Sequence, residues 1–108
     1  MAIEWESSDY QDALTELNLE LQQNPDDIDA YYARSELYYS VEDYDAGIKD
    51  LNGILQRNSQ EVLAYMFRAY GYGQLNNYLL AIDDYNTVLD LSPNYAKAYF
   101  NRGIMYHK

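Results

Sequence analysis

The chain repeats itself every 34 residues, and this period restricts the fold more than any other feature. Ala30-Tyr31 returns as Ala64-Tyr65 and again as Ala98-Tyr99. Arg34, Arg68 and Arg102 share one phase, and Tyr38, Tyr72 and Tyr106 another. Tyr10, Tyr44 and Tyr78 form a third series. A fixed period of this length means stacked supersecondary units, none of which can bury its apolar face alone.

Each unit reads as two helices. Asp9, Asp43 and Asn77 precede a Tyr that opens an apolar pattern, and Asp and Asn side chains accept from the free N–H groups of a first helical turn. The following apolar residues have helical spacing: Leu14, Leu17, Leu21; Ile48, Leu51, Leu55; Ile82, Tyr85, Leu89. Pro25, Ser59 and Pro93 share the phase where one helix has ended and the next has yet to start. Six helices are expected near 9–24, 28–41, 44–58, 61–75, 78–91 and 95–107. The short connections make neighbours antiparallel. Small residues at fixed phases (Ala13, Gly47, Ala81; Ser35, Ala69, Gly103) fit close helix packing.

These residues resemble a tetratricopeptide repeat (TPR) array. The aromatic of that pattern is Tyr31, Tyr65 and Tyr99, its glycine phase Ser35, Ala69 and Gly103, and its next tyrosine Tyr38, Tyr72 and Tyr106. Its second-helix small residue is Ala13, Gly47 and Ala81, followed by Leu17, Leu51 and Tyr85, then Pro25, Ser59 and Pro93. The resemblance covers residues 9–108. It implies an all-α fold, a right-handed α-solenoid of antiparallel helix pairs within a single domain spanning 1–108. With first and second helices of a unit called A and B, the order is B-A-B-A-B-A. Half-unit 9–27 and half-unit 96–108 flank full units 28–61 and 62–95. Two departures stand out. Ser59 replaces Pro, which implies a looser turn, and Glu20 replaces the aliphatic residue seen as Ile54 and Val88.

Composition excludes several functions. The chain has no Cys, hence no disulfide framework and no thiolate metal site. His107 is the only histidine, too little for a His-based metal site or relay. Glu42-Asp43-Tyr44-Asp45 lacks the spacing of a calcium loop, and no glycine-rich phosphate loop occurs. No catalysis, cofactor or metal is expected. The net charge of −11 opposes binding to a phosphate backbone, so nucleic acid is not an expected partner. No apolar run approaches the roughly 18 residues of a membrane span, and Met1–Asp9 does not read as a secretory signal. No membrane association is expected, and a cytoplasmic location is the default. Charge is unevenly placed: residues 1–50 carry 14 carboxylates against Arg34 and Lys49, whereas residues 51–108 carry four against five basic groups. This asymmetry reads either as solvated helix faces or as steering of a basic partner.

Ten of the 14 tyrosines fall in family phases, leaving Tyr32, Tyr39, Tyr70 and Tyr95. The resemblance places the inner groove on the A helices, at positions including Tyr32, Glu36, Tyr39, Leu63, Met66, Phe67, Tyr70, Lys97, Phe100, Asn101 and Ile104. Such a surface suits either capture of a peptide segment or helix of another protein, or packing between A helices and self-association. Tyr32, Leu63, Met66, Phe67, Tyr70 and Phe100 are expected to be partly exposed. Family members that clamp an acidic chaperone tail use Lys, Asn and Arg where this chain has Tyr32, Glu36, Phe67, Lys97 and Asn101; only Lys97 matches. Arg34 and Arg68 are each followed sixteen residues later by Asp50 and Asp84, a spacing that fits an A-to-B ion pair better than a phosphate site. Two further expectations concern assembly. The unpaired terminal helices favour a homo-oligomer, with the last helix of one chain against the first helices of another, unless Ile3 and Trp5 fold over the open first helix. A regulatory appendage of an enzyme is the third reading.

Overall fold

Helical periodicity is realised as six α-helices in a computed structural model that describes residues 7–108. They are α1 (Ser7–Gln23), α2 (Ile28–Ser40), α3 (Tyr44–Arg57), α4 (Val62–Gln74), α5 (Tyr78–Leu91) and α6 (Ala96–Tyr106). No strand occurs among the described residues. Each helix packs mainly on the one before and the one after it, as in an all-α TPR solenoid. The expectation for Ile3 and Trp5 lies outside the described residues.

Asp27 and Asp43 cap α2 and α3, accepting from Ala30 N (3.1 Å) and Ala46 N (3.3 Å). Asp9 does not act as an N-cap, because α1 is already helical at Ser7. Asn77 stands at the cap of α5 but makes no side-chain capping bond. The turn at Ser59 is closed rather than loose. Asn58 Oδ1 accepts from Gln60 N (3.0 Å), and the Tyr65 hydroxyl donates to the Ser59 carbonyl (3.0 Å). Tyr31 makes the same clasp on the Pro25 carbonyl (3.1 Å), so the repeated tyrosine holds the turn with or without proline.

The A helices end alike. Glu42 and Asn76, one period apart, have φ of 62° and 64°. Asp43 N donates to Tyr38 O and Asn77 N to Tyr72 O (2.9 and 2.8 Å), which satisfies carbonyls left free at the helix ends. Asn tolerates the left-handed region, whereas Glu is strained there. Glu42→Gly should therefore raise stability by up to about 1 kcal/mol in denaturant melts.

Leu51, Ile54, Ala64, Ala69, Ala81, Val88 and Ala98 are fully enclosed between successive helices. The arginine phase forms a ladder through this stack. Arg34 pairs with Asp50 through two bonds (Nε–Oδ2 2.9 Å, Nη2–Oδ1 2.5 Å), and Arg68 pairs with Asp84 in the same way (2.8 and 2.7 Å). Both aspartates are buried. A third bond from each arginine runs back to the preceding B helix, from Arg34 Nη1 to Asn18 and from Arg68 Nη1 to Asn52 (2.9 Å each). The expected A-to-B pair is present, inside the stack rather than on its surface. Sequence reasoning missed the asparagine half, although Asn18, Asn52 and Asn86 keep the period.

Candidate functional site

Three A helices stand side by side along one face of the stack. Their shared face encloses a cleft of about 430 Å³ lined by Ser35, Glu36, Tyr39, Leu63, Met66, Phe67, Tyr70, Tyr95, Lys97 and Asn101. Eight of the eleven sequence-predicted groove residues are thereby brought together: Glu36, Tyr39, Leu63, Met66, Phe67, Tyr70, Lys97 and Asn101. Tyr32, Phe100 and Ile104 are not among the lining. The Tyr32 hydroxyl donates to Glu61 (3.1 Å), and its ring meets the Phe67 ring edge-on at 6.0 Å. Burial, with Glu61 adding to it, pushes the Tyr32 phenol well above the usual tyrosine range. Phe100 projects outward, 69% exposed. Ile104 borders a smaller hollow of about 200 Å³ with Tyr70, Gly73 and Lys108.

Exposure within the cleft differs from expectation at one place. Met66 is only 7% exposed, because its side chain packs into the α4–α5–α6 core with Ala69, Tyr85 and Ala98. Tyr39 is a wedge between helices: its hydroxyl donates to the Phe67 carbonyl (2.7 Å). It has room only because residues 47 and 71 are glycines, since a Cβ at either would overlap its side chain. Burial pushes its phenol far above the ordinary range. The open apolar surface of the cleft is therefore chiefly Leu63 (47% exposed) and Tyr70 (46%). Tyr70 leans on Tyr39 and Tyr44, with ring centroids 6.0 and 6.1 Å apart. Exposed Glu36 and Lys97 supply opposite charges on the first and third A helices.

Ser35 and Tyr95 line the cleft without having been expected there. Tyr95 occupies the N-cap phase held by Asp27 and Glu61. An aromatic in a capping phase was the signal that it serves another surface. A second hollow, about 510 Å³, lies over the paired Arg34 and Asp50 beside Asp43, Asp45 and Lys49. Its lining is about as polar as it is apolar, whereas that of the cleft is mostly apolar, and its central cation is already matched, so the cleft is the stronger candidate. Among the described residues no cluster of acidic, His or Cys side chains is arranged to hold a metal ion, and no helix is long and apolar enough to cross a membrane.

Residues 7–82 match the family model described as tetratricopeptide repeat, and residues 71–108 match one described as TPR repeat. Among solved structures, the chain is similar to the Arabidopsis OM64 TPR domain, at 17% identity and a TM-score of 0.81, over 91% of this chain and 81% of that one. It is also similar to the first TPR of Spaghetti (RPAP3) bound to the HSP90 peptide SRMEEVD, at 21% identity and 0.84, over 93% and 79%. MamA aligns at 18% identity and 0.85, over 97% of this chain and 66% of that one. No curated protein sequence matches the chain.

Proposed function

The chain belongs to the tetratricopeptide repeat family, a protein–protein interaction scaffold, and from that premise we propose that it binds a peptide segment or helix of another protein in the cleft across α2, α4 and α6, without catalysis. One observation carries this reading: half-exposed Leu63 and Tyr70 sit in a preformed apolar cleft between Glu36 and Lys97. Tyr70 offers a large contact area on a side chain already held by two neighbouring rings, so binding costs little ordering entropy. The charges set the ligand's polarity, with a basic group toward Glu36 and an acidic one toward Lys97.

Panning a random peptide library on the protein tests this. Selected peptides should bear an apolar anchor between such charges, and Tyr70→Ala should weaken them about tenfold or more while leaving the helical circular dichroism intact. If no peptide is selected, or if Tyr70→Ala and Leu63→Ala both leave binding unchanged, the reading fails. The HSP90 peptide held by the similar Spaghetti domain is a separate matter. Exposed Glu36 faces any acidic tail in the cleft with repulsion, and Tyr32 is already committed to Glu61. A peptide ending in Glu-Glu-Val-Asp is expected to show no micromolar affinity in calorimetry.

A further inference from the structure

The arginine ladder is incomplete at its last rung. Arg102 donates to Asn86 (2.8 Å), as Arg34 does to Asn18 and Arg68 to Asn52. The other two arginines also grip a buried aspartate on the next B helix. Among the described residues Arg102 has no such carboxylate, so the side of its guanidinium that its counterparts use for Asp50 and Asp84 stays free.

The same face of α6 is open at every phase that a following B helix covers elsewhere. Ser35 and Ala69 are buried, whereas a Cβ built on Gly103 would meet nothing within 4 Å. Tyr31 and Tyr65 are partly covered, and Tyr99 is 50% exposed. Tyr38 and Tyr72 are likewise partly covered, against 63% exposure at Tyr106.

The complementary surface lies at the other end of the same chain. Glu16 holds the phase of Asp50 and Asp84 but is exposed, because no A helix precedes α1 among the described residues. Ala13 keeps the small-residue phase of Gly47 and Ala81, and Leu17 the phase of enclosed Leu51 and Tyr85; both are only partly covered. α1 carries Asp9, Asp12, Glu16 and Glu20 with no basic residue, whereas α6 carries Lys97 and Arg102 with no acidic one.

We propose that α1 of a second copy docks on α6 as α3 docks on α2, with Glu16 of one molecule completing the guanidinium of Arg102 in the other. Glu16 presents the same carboxylate on a longer stem, and Ala13 packs where Gly103 leaves space. The antiparallel arrangement sets the end of α1 beside the first turn of α6. The two surfaces differ, so the contact is heterologous and adds subunits in a row rather than closing a pair. The cleft across α2, α4 and α6 remains free in such an array.

Sedimentation of the full chain across a concentration series up to about 1 mM, at about 50 mM salt, tests this. Average mass should climb without a plateau, and raising salt to about 500 mM should weaken association. Arg102→Glu and Glu16→Arg should each weaken it about tenfold or more, and the two together in one chain should restore it to within about threefold. Tyr70→Ala should leave it unchanged, which separates this contact from insertion of a chain into the cleft. Circular dichroism establishes that each variant is folded. A wild-type chain that stays monomeric overturns the proposal. So does a closed dimer, or a charge-reversed pair that fails to restore association.

Discussion

Arg68→Ala is expected to destabilise the fold by about 3–5 kcal/mol, a large share of the 5–15 kcal/mol typical of a whole domain. The loss arises from what is left behind. Asp84 is 3% exposed, and Arg68 supplies both of its strong bonds, so truncation strands a charge in the stack. Asn52 loses its donor at the same time. Replacing Arg68 and Asp84 together by Met and Leu should cost far less, because no charge is then left unpaired. Arg102→Ala should lower monomer stability by no more than about 1 kcal/mol, since that arginine makes one bond to a neutral amide and strands no carboxylate. Urea melts of the four proteins at low concentration establish the order. Equal losses at Arg68 and Arg102 would contradict the ladder as described.

Gly71→Ala should destabilise by about 1–2 kcal/mol, although alanine in a helix interior normally gains about 1 kcal/mol over glycine. The added methyl would overlap the Tyr39 hydroxyl and come within 3.0 Å of Ile48 Cδ1. Tyr39 cannot step aside: its ring already fills the space left by Gly47, and its hydroxyl is tied to the Phe67 carbonyl. Removing that hydroxyl should relieve most of the strain, so Gly71→Ala is expected to be close to neutral in a Tyr39→Phe background. A double-mutant cycle in denaturant measures this coupling. Additive effects would mean that the slot is set by something other than Tyr39.

Tyr39 also shows where the sequence stops being informative. The period placed every helix to within a few residues, because two signals coincide in each unit: a turn phase and an apolar stripe. It put Tyr39 on the correct face as well. Whether a tyrosine on that face lies open or drives inward depends on glycines at 47 and 71, one on each of two other helices. Phase within a single helix carries no record of that. Met66 is buried for the same kind of reason: its neighbours Tyr85 and Ala98 come from two other helices, α5 and α6. Tyr95 and the Asn18, Asn52, Asn86 series were different. Their positions were legible as a broken and a kept period, and comparing every phase rather than the aromatic ones would have found them.

Each helix rests mainly on its two sequence neighbours, so the contacts between helices join segments that are adjacent along the chain. Closing such contacts requires little loop entropy, so the fold can start at any hairpin and grow outward like a zipper. It also opens from the outside. Among the described residues α1 and α6 each have one main helix neighbour where α3 and α4 have two, and backbone protection within these six helices should fall off from the middle outward. A ligand gripped at once by α2, α4 and α6 ties an outer helix to the middle of the stack. Its arrival would then be recorded less as movement than as slower exchange of amide protons in α6, beyond the residues it touches.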